Sequence, residues 1–239
     1  MKVCSTILLL YIFIPFTGSI AFSQDSQYFE EVLIKTEAYY KNTQSYSINT
    51  KYEYFENQNA SKPIETLEGF IFKNNTNYFS KIGTTDFIYI NDVFLKFDHA
   101  EKAVIYSKSE VKNSFMPIEL SQMIANFDKI VASKNNEEIR FHLTFKKELN
   151  FPYKQMILVF NKKTFEIKRQ EFFFKENQKF PGSFSSDKTI NNAKMIISMV
   201  PSENDYSLSL VSLSNYISDP NNPKLTQKFG SYKLYNISQ

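Results

Sequence analysis

Side chains capable of acid–base, nucleophilic or metal chemistry are few in this chain of 239 residues. It contains two histidines, His99 and His142, and one cysteine, Cys4. A zinc site needs three or four ligands held together, and this supply does not build a Cys/His cluster. His99 stands between Asp98 and Glu101, and we interpret these three as a solvated hairpin turn. The sequence therefore predicts no metal site.

Motifs for covalent or cofactor chemistry are missing as well. The five glycines form neither a phosphate-binding loop nor the Gly-x-Ser-x-Gly turn that presents a nucleophilic serine. His142 lies beside Arg140 and Thr144 on the polar side of a predicted strand. The paired acids at 30–31 and 137–138 are adjacent in sequence, so they do not face each other on a helix or a strand. We predict no catalytic residues, no cofactor and no enzyme.

The first 23 residues have the three-part pattern of a secretory signal peptide. Lys2 precedes the apolar run 7–16, and Ala-Phe-Ser at 21–23 fits a cleavage site. An uncleaved anchor is the alternative, but the run is about half of the ~20 residues that span a bilayer as a helix. Cleavage after Ser23 removes Cys4 and leaves a chain without disulfides or a membrane-spanning segment. Because exported domains elsewhere often use disulfides, we expect the periplasm of a Gram-negative bacterium.

The charges are mixed rather than clustered. The formal net charge is +3, and the lysines alternate with acids along the chain. Nucleic-acid binding needs a basic patch, usually with interleaved aromatic side chains, and none stands out in this sequence. Nucleic acid is therefore not a predicted partner.

The mature chain begins with a predicted helix over 25–41. Phe29, Val32, Leu33 and Tyr40 recur on one face of a helix with 3.6 residues per turn. After Asn42 the apolar residues alternate with polar ones, which is typical of half-buried strands. The predicted strands are 46–54, 67–73, 78–81, 86–90, 93–97, 103–108, 139–146, 153–161, 164–174, 195–200, 206–213 and 232–237.

A second helix is predicted over 117–132, inserted between two groups of strands. Leu120, Met123, Ile124, Phe127 and Ile130 fall on one face at helical spacing. Such a helix can fold back over the sheet, where it either completes the core or acts as a movable lid above a cavity. The two alternatives differ in how strongly the helix packs.

These elements predict one domain over 24–239 of the α+β class, mainly β. Ten or so antiparallel strands must curl or close to protect their edges. We expect a curved sheet that forms an incomplete, half-open barrel, with the N-terminal helix and the inserted helix across its opening.

This order of elements resembles the LolA-like group of periplasmic proteins. The resemblance lies in YYKNTQSYSINTKYEY at 39–54, LEGFIFKNNTNYFSK at 67–81, DFIYINDVFLKFDHAEKAVIYS at 86–107 and MILVFNKKTFEIKRQEFF at 156–173. It covers roughly 25–175 and rests on hydrophobic spacing and a few turn residues. It implies a half-barrel that carries lipoproteins. In the family an Arg inside the barrel helps to set the closed state, whereas here Lys73 stands nearest that position.

Aromatic residues are the strongest functional signal, with 24 Phe, 15 Tyr and no Trp. A concave sheet lined by such side chains suits acyl chains, although the same residues can simply form core against the helices. The candidate ligand-binding residues are Tyr46, Ile48, Tyr52, Tyr54, Phe70, Phe72, Phe87, Tyr89, Met123 and Phe127. We expect a non-enzymatic envelope protein that binds a lipid, a lipoprotein acyl chain or another amphipathic ligand. The alternative is an accessory subunit of an envelope complex, which uses the same scaffold to dock another protein.

Overall fold

A computed structural model describes residues 24–108, 124–175, 192–204 and 206–238. The predicted signal peptide at 1–23 lies outside the described residues, as do 117–123 of the predicted second helix. Within the described ranges, no helix is long and apolar enough to cross a membrane.

The chain begins with helix α1, Gln24–Asn42. The predicted apolar face is confirmed, because Phe29, Val32, Leu33 and Tyr40 are all buried. Asp25 lies in the first turn and Lys41 in the last, which favours the helix dipole at both ends.

The rest of the fold is one sheet of twelve strands and a small accessory sheet. The first six strands are β1 Ser45–Phe55, β2 Glu65–Asn74, β3 Asn77–Ile82, β4 Thr85–Ile90, β5 Val93–Asp98 and β6 Ala103–Lys108. The next five are β7 Phe127–Lys134, β8 Glu138–Phe145, β9 Tyr153–Asn161, β10 Ile167–Phe174 and β11 Lys194–Pro201. Strands β12 Ile217–Asp219 and β13 Lys224–Leu225 pair with each other, and β14 Lys233–Asn236 ends the large sheet.

The strand order is β14-β6-β5-β4-β3-β2-β1-β11-β10-β9-β8-β7. Every neighbouring pair is antiparallel except β14 and β6, which are parallel. Strand β11 pairs with β1. This pairing joins the consecutive strands β1–β6 to β7–β11 in one sheet. The predicted class, mainly β with a curved antiparallel sheet that is not closed into a barrel, is confirmed.

Each half of the sheet builds its core on a different side. Residues opposite each other in an antiparallel ladder share a face, so the register assigns every strand residue to one side. We call the side against α1 the helix face, and the side against residues 206–232, the tail segment, the tail face. The helix-face core lies mainly on β7–β10. The tail-face core lies on β2–β6.

The predicted second helix is wrong over residues 124–132, the part that the structure describes. Ile124–Asn126 is a short 3-10 turn (η1), and β7 follows directly. A register shift between Phe127 and Lys129 adds a residue to β7. Such a bulge lets Phe127 and Ile130, three apart in sequence, both enter the helix-face core. Helical spacing was thus produced by a bulged strand, and the predicted lid does not exist over 124–132.

The predicted strand 206–213 is also wrong. The chain there forms two 3-10 turns, η2 Leu208–Val211 and η3 Leu213–Asn215. The side chain of Ser207 accepts a hydrogen bond from the backbone N–H of Ser209 and caps η2. Tyr206 stacks on Phe70 with ring centroids 4.2 Å apart. Most apolar residues of this segment therefore pack on the tail-face core instead of pairing with a strand; they are Tyr206, Leu210, Val211 and Leu213.

Candidate ligand-binding face

The helix α1 occupies one half of the helix face. Phe29 packs against Phe141 at a centroid distance of 4.7 Å and against Phe127 at 6.1 Å. The hydroxyl of Thr36 donates to the carbonyl of Phe165 at 2.8 Å. The Tyr39 hydroxyl donates to the Glu166 carboxylate at 2.5 Å. This half is filled core.

The other half of the helix face carries a row of half-buried apolar side chains, which we call the apolar patch. Its strands are β1–β6, with neighbouring positions on β10 and β11. Its members are Tyr52, Tyr54, Leu67, Ile82, Phe87, Tyr89, Phe94, Ile105, Phe172, Met195 and Ile197.

The structure divides the predicted ligand-binding residues among several places. Tyr52, Tyr54, Phe87 and Tyr89 lie in the apolar patch. Ile48 and Phe127 are buried in the helix-face core, and Tyr46 packs beside Tyr40 of α1. Met123 lies outside the described residues.

Phe70 and Phe72 are on the tail face, so they cannot share a surface with the other predicted residues. Phe72 is buried and Phe70 packs against the same core, beside Tyr206. The reason lies in the composition of β2, where both faces are apolar. Leu67 and Ile71 alternate with Phe70 and Phe72, so the pattern alone does not tell which set faces α1.

The other seven patch residues were missed by the sequence argument, four of them on β2, β3, β5 and β6. Leu67, Ile82, Phe94 and Ile105 follow the same alternation as their neighbours and are aliphatic or isolated aromatic positions. The register of the ladder identifies them, because Leu67 pairs with Tyr52 and Phe94 pairs with Tyr89.

Glycine is required at position 69, in the middle of the patch. A Cβ at Gly69 would overlap the carbonyl oxygen of Lys81 and lie 3.0 Å from the hydroxyl oxygen of Thr50. Gly69 pairs directly with Thr50. Glycine at position 69 therefore allows strands β1, β2 and β3 to approach each other closely at this point.

Lys73 is buried between the patch and the end of α1. Its ammonium group donates to the carbonyls of Tyr40 at 2.6 Å, Thr43 at 2.7 Å and Lys41 at 3.3 Å. These carbonyls lie at the negative end of the helix dipole, so the cation closes the C-terminus of α1. Burial lowers the pKa of Lys73.

Burial also affects the tyrosines of this face. It raises the pKa of Tyr52, and the nearby Thr50 hydroxyl partly opposes that rise. Burial, followed by the charge of Glu65, raises the pKa of Tyr54. Both shifts move the phenols further from ionisation, so neither side chain adds charge to this face.

The predicted turn around His99 holds a network that sequence reasoning missed. Asp98 accepts hydrogen bonds from the backbone N–H groups of Ala100 and Glu101. His99 instead contacts Asp86 through Nε2 at 2.7 Å and the Tyr232 hydroxyl through Nδ1 at 2.9 Å. The network ties the end of the tail segment to β4. His142 is exposed on the tail face of β8.

Comparison with known proteins finds structures but no sequence relatives. No protein-family model and no curated protein matches the sequence. An uncharacterised conserved protein from Thermus thermophilus shares 10% identity, with 88% of this chain and 99% of that chain covered at a TM-score of 0.47. Lipoprotein LppX from Mycobacterium tuberculosis shares 7%, with 75% and 98% covered at 0.39. A LolA superfamily protein from Nitrosomonas europaea shares 11%, with 77% and 96% covered at 0.33.

A LolA superfamily protein is among the solved structures to which this chain is similar, and the similarity to all three is at identities of 7–11% and TM-scores below 0.5. The function is therefore argued from the residues of the helix face.

Proposed function

We propose that this protein is a non-enzymatic binding protein of the bacterial envelope, exported by its N-terminal signal peptide, which holds an acyl chain of a lipid or lipoprotein on the apolar patch. The observation that carries the proposal is the row of half-buried apolar side chains across β1–β6, beside the half of the same face that α1 fills. Burying each Å² of such surface against an acyl chain contributes roughly 25 cal/mol.

The charge distribution supports an amphipathic ligand rather than a bare hydrocarbon. Lys96 lies on the patch opposite Ile105 and its ammonium group is 5.9 Å from the centre of the Phe87 ring. A lysine can keep its stem on an apolar surface while its charge stays near water. Lys96 is therefore placed to pair with an anionic headgroup that lies over β5, between Phe87 and Ile105.

Native mass spectrometry of the exported protein tests the proposal. We expect the wild-type protein to retain lipid-sized adducts, and Leu67→Glu to lose them. This change places a carboxylate where the acyl chain would lie, which is costly without a partner.

Val131→Glu is the matched control, because Val131 is an exposed apolar residue on the tail face of β7. It should leave the adducts unchanged. Equal lipid retention by Leu67→Glu and wild type, at equal stability, would count against the apolar patch. A stable protein partner in place of a lipid would favour the docking alternative.

A further inference from the structure

The apolar patch continues onto β14, the strand at one edge of the large sheet. The parallel register pairs Tyr235 with Ile105 of the patch, so the two side chains share the helix face. Ile237 follows on the same side, two residues further along, and its backbone N–H donates to the carbonyl of Tyr106 at 2.9 Å. The helix face therefore ends, at the sheet edge, in an aromatic and an aliphatic side chain.

These two side chains at the edge are exposed to solvent. Tyr235 is 44% exposed and Ile237 is 58% exposed, whereas the patch residues beside them are half-buried. Single apolar residues on a surface are ordinary, but neighbouring ones that continue an apolar patch are typical of an interaction surface.

The charges at this end of the helix face are mainly positive. Among the described helix-face residues of β3–β6 and β14, the charged ones are Lys96, Lys233 and Asp98. Asp98 lies at the end of β5, where its carboxylate accepts two backbone N–H groups of the turn 99–102. The ammonium group of Lys233 lies 4.8 Å from the centre of the Tyr235 ring. The exposed apolar edge thus has cations beside it, which complement an anionic surface.

We infer that the β14 edge of the helix face docks on the surface of an anionic lipid bilayer. Tyr235 and Ile237 enter the interfacial region, where a tyrosine keeps its ring in an apolar layer and its hydroxyl in water. Lys233 and Lys96 hold their ammonium groups at the level of the anionic headgroups.

The shape of the edge favours a bilayer over an added protein strand. Strand β14 has only four residues, Lys233–Asn236, and it begins with an exposed lysine. Short edge strands and edge lysines both discourage pairing with a strand of another chain. A bilayer needs no such ladder, because it contacts side chains rather than the backbone edge.

The inference goes beyond the proposed function, because docking requires no bound ligand. It also gives the apolar patch a side of entry. A bilayer that holds Tyr235 lies next to Ile105, the residue of the patch that pairs with Tyr235. An acyl chain that leaves the bilayer at this edge reaches the patch directly.

Vesicle flotation at low ionic strength tests the charge requirement. The probes are vesicles of phosphatidylglycerol and phosphatidylcholine in equal parts, and vesicles of phosphatidylcholine alone. Wild type should bind the mixed vesicles about tenfold or more tightly than the neutral ones, and added salt should weaken this binding. Lys233→Gln should weaken binding to the mixed vesicles about fivefold. Lys163→Gln is the matched control, because Lys163 is an exposed lysine between β9 and β10, and it should bind as wild type does.

A pair of double mutants tests the apolar contact. Tyr235→Ser combined with Ile237→Ser should weaken binding to the mixed vesicles about tenfold or more, because the bilayer no longer buries these side chains. Val131→Ser combined with Leu208→Ser is the matched control, since these residues are 38% and 62% exposed and lie on the tail side of the sheet. This control should bind as wild type does, and both double mutants should keep the urea midpoint of wild type.

The outcomes separate this inference from the proposed function. Absence of vesicle binding by wild type, equal binding to the two kinds of vesicle, or equal weakening by the control pair would overturn the docking edge. A wild-type dimer that the Tyr235→Ser and Ile237→Ser pair converts to a monomer would assign the edge to a second copy of the chain, and would also overturn it. Lipid adducts without vesicle binding would leave the proposed function standing, whereas vesicle binding without adducts would support the docking edge and count against the proposed function.

Discussion

At the scale of single residues, Tyr40 joins α1 to the sheet through its side-chain hydroxyl and its backbone carbonyl. Its hydroxyl accepts a hydrogen bond from the backbone N–H of Ile167 at 3.2 Å, and its carbonyl accepts one from the Lys73 ammonium group. Burial raises the pKa of Tyr40 to about 12, against the opposing effect of the Ile167 N–H. The side chain is only 1% exposed, so its ionisation must be coupled to unfolding.

Tyr40 should therefore make stability depend on alkaline pH. Its pKa is higher in the folded state than in the unfolded chain, so its contribution is complete below about pH 10 and is lost as the pH rises towards 12. Over that window the free energy of unfolding should fall by about 2–3 kcal/mol more in wild type than in Tyr40→Phe. Urea denaturation at several alkaline pH values measures both slopes, and parallel slopes would contradict the assignment.

At the scale of elements, β7 shows how a strand can imitate a helix. Phe127 is buried against Phe29 and Phe145, with ring centroids 6.1 and 4.9 Å away. Phe127→Ala should therefore lower the free energy of unfolding by about 3–5 kcal/mol, as truncation of a core phenylalanine does. Val131→Ala, on the exposed side of the same strand, should change it by less than about 0.5 kcal/mol. Equal, small effects would mean that Phe127 is not core.

The sequence predicts most other elements because local chemistry decides them. The helix at 25–41 and the hairpin at Asn91–Asp92 are fixed by helical spacing and by turn residues, and both residues of that turn adopt the positive φ that a tight hairpin favours. The bulge in β7 left no such mark, since it depends on partners in β8. Similarly, residues 206–213 alternate like a strand, but Tyr206, Leu210 and Val211 pack on the tail-face core instead.

At the scale of the whole molecule, one sheet contributes residues to two separate cores, one on each face. The position of the candidate site follows from this arrangement. The helix-face core and the tail-face core share no buried residue. Strands β1 and β2 lie where the two overlap, with Ile71 in one core and Phe72 in the other. The sequence predicts that aromatic side chains line a sheet, but it does not specify a side, because that choice is made by α1 and the tail segment. The apolar patch is the part of the helix face that remains beyond α1.

This arrangement predicts that mutations in the two cores act independently. Phe141 lies on β8 in the helix-face core, and Phe229 lies in the tail segment. Phe141→Leu and Phe229→Leu should each lower the free energy of unfolding by about 1–2 kcal/mol, and the double mutant should show their sum within about 0.5 kcal/mol. Phe97→Leu combined with Phe229→Leu is the contrasting pair, since those rings are 4.6 Å apart and should be non-additive. A coupling between Phe141 and Phe229 as large as that of the contacting pair would show that the two cores act as one, and the separate origin of the apolar patch would then be wrong.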